Sequence, residues 1–160
     1  MLSKKLQDAI NEQINAEMWS ANLYLSMSLY FAKEGFNGFS AWMKVQSKEE
    51  LGHAYSMMDY VIKRGGTACV GQIDIVPTNW KNPLDVFVSV YNHEVHISGL
   101  IDELVDVAAG ERDKASQDFL WGFVREQVEE EATSKEIVDR VKMAGDNGIF
   151  YIDAQLGQRK

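Results

Sequence analysis

With 160 residues, 46% of them hydrophobic and 25% charged, the chain has the composition of one globular domain that buries roughly two-thirds of its unfolded surface. A formal charge of −8 argues against polyanionic partners, so neither nucleic acid nor an anionic membrane surface is expected, and it favours cations. No basic segment leads into an apolar one, no run approaches ~20 apolar residues, and the single cysteine, Cys69, excludes an internal disulfide. The expected compartment is the reducing cytoplasm, with Cys69 an incidental loop thiol.

Residues 4–33 read as a first helix, with Leu6, Ile10, Ile14, Ala21, Leu25 and Leu29 as its apolar stripe. Gly35 and Gly38 punctuate a short turn, and a second helix over 37–64 stops at Gly65-Gly66. From Thr67 to Asn82 there is no helical period, only Ile73, Ile75 and Val76 in loose alternation. Asn82 then supplies a cap and Pro83 the first position of a third helix over 83–109, with Asp85 in its first turn. That helix carries Phe87, Val90, Tyr91, Ile97, Ile101, Leu104 and Val105. Asp113 caps a fourth, over 114–143, carrying Phe119, Phe123, Ile137 and Val141. Past Gly145 a short fifth helix is expected over 147–156, with Ile149, Phe150, Ile152 and Leu156 apolar. Gly52, Gly99 and Gly122 lie inside helices, each costing ~1 kcal/mol, for which close helix approach or a nearby ligand would be a reason.

Four helices of this length would each extend ~40 Å. Short turns make two antiparallel hairpins, while the long second-to-third connection can reach ~60 Å and return the chain to the start of the second helix. The expected fold is therefore all-α, a single domain over 1–160. It is a four-helix bundle with one long crossover and a short C-terminal helix.

Into that bundle every long helix sends a glutamate. Glu17 shares a face with Ile14, Ala21 and Tyr24; Glu50 lies among Trp42, Met43, Met57 and Val61; Glu94 sits between Val90 and Ile97; Glu130 shares its side with Phe123, Gln127 and Ile137. All four fall near mid-helix, hence at one level, and His53 follows Glu50 by three residues on the same face. Carboxylates and an imidazole facing a core are costly unless a cation compensates them. Glu-x-x-His on a bundle helix is one half of the arrangement already known from di-iron carboxylate bundles. Oxygen-rich ligation with one imidazole suits iron or manganese over tetrahedral zinc, and Glu50, being central, is best placed to bridge two ions. A single inward glutamate, however, is often a snorkelling side chain. A scaffold whose core acids pair with Lys or Arg, or a di-iron oxidase acting on an organic substrate, would show the same residues. His93 and His96 cannot share Glu94's face and read as outward or boundary residues. The acidic run 126–131 is either a solvated face or, with Glu49, an extra cation site.

The segments NEQINAEMWSANLYLSMS, QSKEELGHA, NHE and FLWGFVREQVEEE together resemble the bacterial non-haem ferritins, over the full length of the chain. The resemblance implies a ferritin-like fold and a shell of twenty-four chains (a 24-mer), with the fifth helix at the fourfold axes. It implies a ferroxidase that oxidises Fe(II) with O2 or H2O2 and stores Fe(III) as hydrated oxide. Glu17, Glu50 and His53 then look like ligands of a first iron and Glu94 and Glu130 of a second. Gln127 lies close by, and Tyr24 is the tyrosine beside the centre. Glu49, Glu126, Glu129 and Glu130 resemble a third iron site. Two departures separate the chain from bacterioferritins: Thr133 stands where a second Glu-x-x-His would need histidine, and Gly52 where the haem-binding methionine would be, so no haem is expected. Rubrerythrin-like peroxidases would need a Cys-x-x-Cys that one cysteine cannot supply, and the mini-ferritins place their ligands differently. Asp113 and Asp118 are candidates for an iron channel.

Overall fold

The computed structural model describes all 160 residues, as four helices joined without any strand. They are α1 (Lys4–Glu34), α2 (Asn37–Lys63), α3 (Pro83–Gly110) and α4 (Lys114–Leu156). Three of the four starts are held by a side-chain oxygen: Ser3 accepts from the Leu6 N–H, Asn82 from Asp85, and Asp113 from Ser116. Each cap satisfies a backbone donor that the helix itself cannot.

The expected break near Gly145 is a kink inside α4, where two helical segments meet, and the chain past it is helical again. Helix α4 continues to Leu156, and the break lies at one residue, Gly145, with φ 58 and ψ −167. That backbone conformation is open to glycine and strained for anything with a Cβ, so the chain kinks there and resumes its spiral at once. The segment beyond the kink docks on the start of α2. The Phe39 N–H donates to Asp153 Oδ1 at 2.7 Å, and the Phe36 and Phe150 rings stack 5.0 Å apart. Gly38 lies so close that a Cβ there would overlap the Asp153 carbonyl.

Residues 65–82 run along α1. Gln7 Oε1 accepts from the Thr67 N–H, Asn11 Oδ1 from the Cys69 N–H, and the Trp19 indole N–H donates to the Ile75 carbonyl. Ser26 Oγ then donates to the Pro77 carbonyl. The crossover therefore spans most of the bundle's length and starts α3 beside the end of α1, where Phe31 and Phe87 meet 5.5 Å apart. Phe87 also packs on Phe39, so α2 and α3 begin at the same end. Contacts join α1 to α2, α2 to α4, α4 to α3 and α3 to α1, closing a four-helix ring in which α2 and α3 run parallel across the diagonal.

The apolar core is divided. One cluster, including Met27, Phe31, Phe39, Phe87 and Leu156, fills the end where α2 and α3 begin; the other, including Leu6, Ile10, Met57, Ile101 and Leu120, fills the opposite end. Between them lies a polar band. Two sequence expectations need correcting. Leu25 and Leu29 are 41% and 65% exposed, and the inward face of α1 passes instead through Tyr24, Met27 and Phe31. A strict four-residue step drifts by ~40° per repeat around a helix of 3.6 residues per turn, enough to carry the stripe out to solvent. Gly52 and Gly99 face open space, with nothing near the position of a Cβ, so close helix approach within this chain does not account for them.

At the far end Asp113 does two things: it caps α4 and receives both guanidinium nitrogens of Arg64, each at 3.0 Å, beside the buried Ser116. Committed in this way, Asp113 is not a free acid for a channel. Asp113→Ala removes cap and partner together and should lower unfolding free energy by about 2 kcal/mol in urea titrations. Asp113→Asn, which keeps a capping oxygen, should recover part of that loss.

Candidate metal centre

The polar band is built by helical register. On α1, Gln13, Glu17, Ser20 and Tyr24 follow one another at spacings of three and four and are all buried; on α2 so are Gln46 and Glu50, with His53 half-buried one turn on. Helix α3 contributes buried Glu94, and α4 buried Gln127 with partly buried Glu126 and Glu130.

The tightest group is Glu17, Glu50 and His53, whose potential ligand atoms all lie within 4.8 Å of one another. His53 turns Nδ1 toward the two carboxylates, 3.4 Å from Glu50 Oε2 and 3.8 Å from Glu17 Oε2. Its Nε2 lies 2.9 Å from Glu126 Oε1, so a carboxylate fixes the ring from behind. Gln13 donates to Glu17 Oε1 at 3.1 Å, and Gln46 reaches both Glu50 Oε1 at 3.3 Å and Glu130 Oε2 at 2.9 Å. On the other side the Tyr24 hydroxyl donates to Glu94 Oε1, and Gln127 donates to Glu94 Oε2 at 3.1 Å. Glu94 and Glu130 thus belong to the band but lie outside the close trio: Gln46 ties Glu130 to Glu50, while Tyr24 and Gln127 hold Glu94.

Two buried acceptors in the band have no hydrogen-bond partner, Glu17 Oε2 and Gln46 Oε1. No lysine or arginine forms an ion pair with Glu17, Glu50, Glu94 or Glu130. The acids share protons instead. Burial, with the charges of Glu17 and Glu94, pushes Glu50 well above the usual carboxylate range, against the pull of His53. Burial would raise Glu17 too, but His53 and the proton held by Glu50 bring it below its ordinary value. Burial would make His53 harder to charge; Glu126, Glu17 and Glu50 overcome that and hold it as imidazolium. Glu94 is raised to about 7, chiefly by burial, against the hydrogen bonds from Tyr24 and Gln127. Tyr24 is pushed up by burial and by Glu94. Without metal, the band is a set of carboxylates partly neutralised by protons, a state a divalent cation can replace.

Outside the trio the candidate third group is less gathered. Glu126 serves His53, Glu129 is exposed, and Glu49 pairs with Arg159 at 3.0 Å. His96 is exposed and His93 partly buried, its Nε2 2.7 Å from Ser20 Oγ, with burial lowering it to about 4. The roles of Gln13, Gln46 and Arg159 were not read from sequence. Gln46 did carry a signal, since it precedes Glu50 by one helical turn, as Gln13 precedes Glu17.

A family model described as a ferritin-like domain matches residues 7–144. The chain belongs to the ferritin family. It is 70% identical over 159 residues to a bacterial non-heme ferritin of Bacteroides fragilis, covering 99% of this chain and all of that one. It is also 37% identical to one of Campylobacter jejuni, covering 96% and 93% of the two chains. The fold matches an open pore ferritin from Archaeoglobus fulgidus with a TM-score of 0.98 at 44% identity, over 100% of this chain and 99% of that one.

The pH dependence of this ferritin's metal-free state follows from the band. Glu50, Glu94 and His53 all hold protons more tightly folded than unfolded, so their stabilisation is present at low pH and fades as pH rises through their folded values. Above about pH 7.5 the His93 imidazole is neutral in both states and drops out of the comparison. The thermal midpoint of metal-free protein should therefore fall between about pH 7.5 and 8.5 in calorimetry. Saturating Zn(II), taking the place of the protons, should flatten that fall.

Proposed function

We propose that the chain is an iron-storing ferroxidase subunit, oxidising Fe(II) inside its own bundle and passing Fe(III) into the hollow of a shell of about twenty-four copies. What carries the reading is the buried Glu17 Oε2. It lacks a hydrogen-bond partner, yet faces Glu50 and His53 in a trio at ligand spacing with no Lys or Arg to balance it. Membership of the ferritin family supports it.

In this reading iron is the substrate. Glu17, Glu50 and His53 Nδ1 take the first Fe(II), Glu50 bridges to the second, and Glu94 and Glu130 hold that one. Each Fe(II) gives up one electron. Two electrons and two protons convert O2 to hydrogen peroxide, or, with peroxide as oxidant, cleave its O–O bond to give two waters. The carboxylates favour the higher charge of Fe(III), which lowers the barrier to electron loss. The Tyr24 hydroxyl and Gln127 hold Glu94 in position, and Glu126 holds the His53 ring, so these are positioning residues. Glu49, Glu126, Glu129 and Glu130 would receive a third cation on its way out. Such a shell would work in the cytoplasm; no helix of the chain is long and apolar enough to cross a membrane.

An oxidase for an organic substrate is less favoured. Five surface cavities are lined by other residues, and none of them by Glu17, Glu50, His53, Glu94 or Glu130. Glu50→Ala and His53→Ala should each slow Fe(II) oxidation by at least about tenfold in stopped-flow absorbance, since each removes a ligand from the first ion. Both variants should still elute on gel filtration as a shell. Unchanged oxidation in both would refute the assignment.

A further inference from the structure

The last turn of the chain brings one cation to the band. Leu156 is buried in the apolar cluster, and the Arg159 N–H donates to the Leu156 carbonyl at 3.2 Å, so the arginine is carried on an anchored segment. Its guanidinium lies over the Trp42 ring, 4.5 Å from the centroid, and donates to the Trp42 carbonyl at 3.4 Å. The other nitrogen meets Glu49 Oε1 at 3.0 Å. Three contacts to one helix set this pair apart from the exposed Lys4–Asp8 and Lys135–Asp139 pairs, whose lysines touch only a carboxylate four residues away. Arg159 is 24% exposed against 82% for Lys4, consistent with a seated side chain.

We propose that Arg159 is a tethered counter-cation, holding Glu49 while no metal is there, so that a third metal cation binds at Glu49 only by displacing the guanidinium. This rests on the reading that Glu49, Glu126, Glu129 and Glu130 accept a third cation. Of these four acids Glu126 is paired with His53 and Glu49 with Arg159, which comes from another part of the chain. The arginine sets how much of the time the set is open. A site whose competent form is populated about one-tenth of the time binds about tenfold more weakly than its intrinsic affinity. The flat guanidinium suits the task because it can stack on Trp42 and pair with Glu49 together, leaving the ring and the carboxylate in place when it swings away.

Zn(II) titration of metal-free shells by calorimetry tests this, because Zn(II) is redox-inert and reports sites without turnover. Arg159→Gln should bind the third Zn(II) about tenfold more tightly than wild type, the gain expected if the arginine closes the site some nine-tenths of the time. Glu49→Gln should weaken the third site, and adding Arg159→Gln to it should restore nothing. In wild type the third equivalent should also shift Trp42 emission as the guanidinium leaves the ring, a change absent from Arg159→Gln. Equal third-site affinity in wild type and Arg159→Gln, with loss on Glu49→Gln, would overturn the gate and leave the third site standing. A gain that persists without Glu49 would reduce the effect to general charge and overturn the gate as well. No third Zn(II) in any variant would remove both the gate and the third-site reading.

Discussion

Ionised carboxylates in the middle of an apolar bundle cost several kcal/mol each unless protons, hydrogen bonds or cations offset them. Glu17, Glu50 and Glu94 are 1–2% exposed, and the core on either side of them is hydrocarbon. The metal-free chain meets this cost with shared protons, one imidazolium and three glutamines. That compensation is incomplete, as the unpartnered Glu17 Oε2 and Gln46 Oε1 show. A pair of divalent ions would complete it. The two apolar ends hold the bundle together on either side of this polar centre, and the cap and ion pair at Asp113 and the docked Asp153 fasten those ends.

Topology decides whether the acids can meet. Two hairpins alone fix Glu17 against Glu50 and Glu94 against Glu130. The crossover along α1 fixes one hairpin against the other, through the successive bonds at Gln7, Asn11, Trp19 and Ser26. With α1 antiparallel to both α2 and α3, Tyr24 reaches Glu94 from one side and Gln46 spans Glu50 and Glu130 on the other. The glutamines matter for another reason. An amide donates to a carboxylate without contributing charge, so it can orient an acid that must remain available to a cation.

Much of this was legible in the sequence because helical period is a strong signal and the punctuation was clean. Asn82-Pro83 and Asp113 mark helix starts that the caps reproduce, and four mid-helix glutamates fall on inward faces without any knowledge of packing. The kink at Gly145 was visible as a break because glycine alone takes its positive φ without strain, and the two helical segments meet across that one residue. The stripe through Leu25 and Leu29 failed because a repeat of four is not the period of the helix. The partners of the site were harder still. Gln13 and Gln46 sit one turn before Glu17 and Glu50 on the same faces, but their partners follow only from packing, and Arg159 reaches Glu49 from far along the sequence through tertiary contact alone. Spacing along one helix is readable; a contact made by a chain terminus folding back is not.

Compensation of the carboxylate band by iron is tested most directly by crystals soaked anaerobically in Fe(II), with anomalous differences collected at the iron edge. One peak is expected at bonding distance, about 2.0–2.2 Å, from Glu17, Glu50 and His53 Nδ1, with a second between Glu50, Glu94 and Glu130. A bundle interior free of anomalous density, with its carboxylates protonated and hydrogen-bonded to one another, would contradict it.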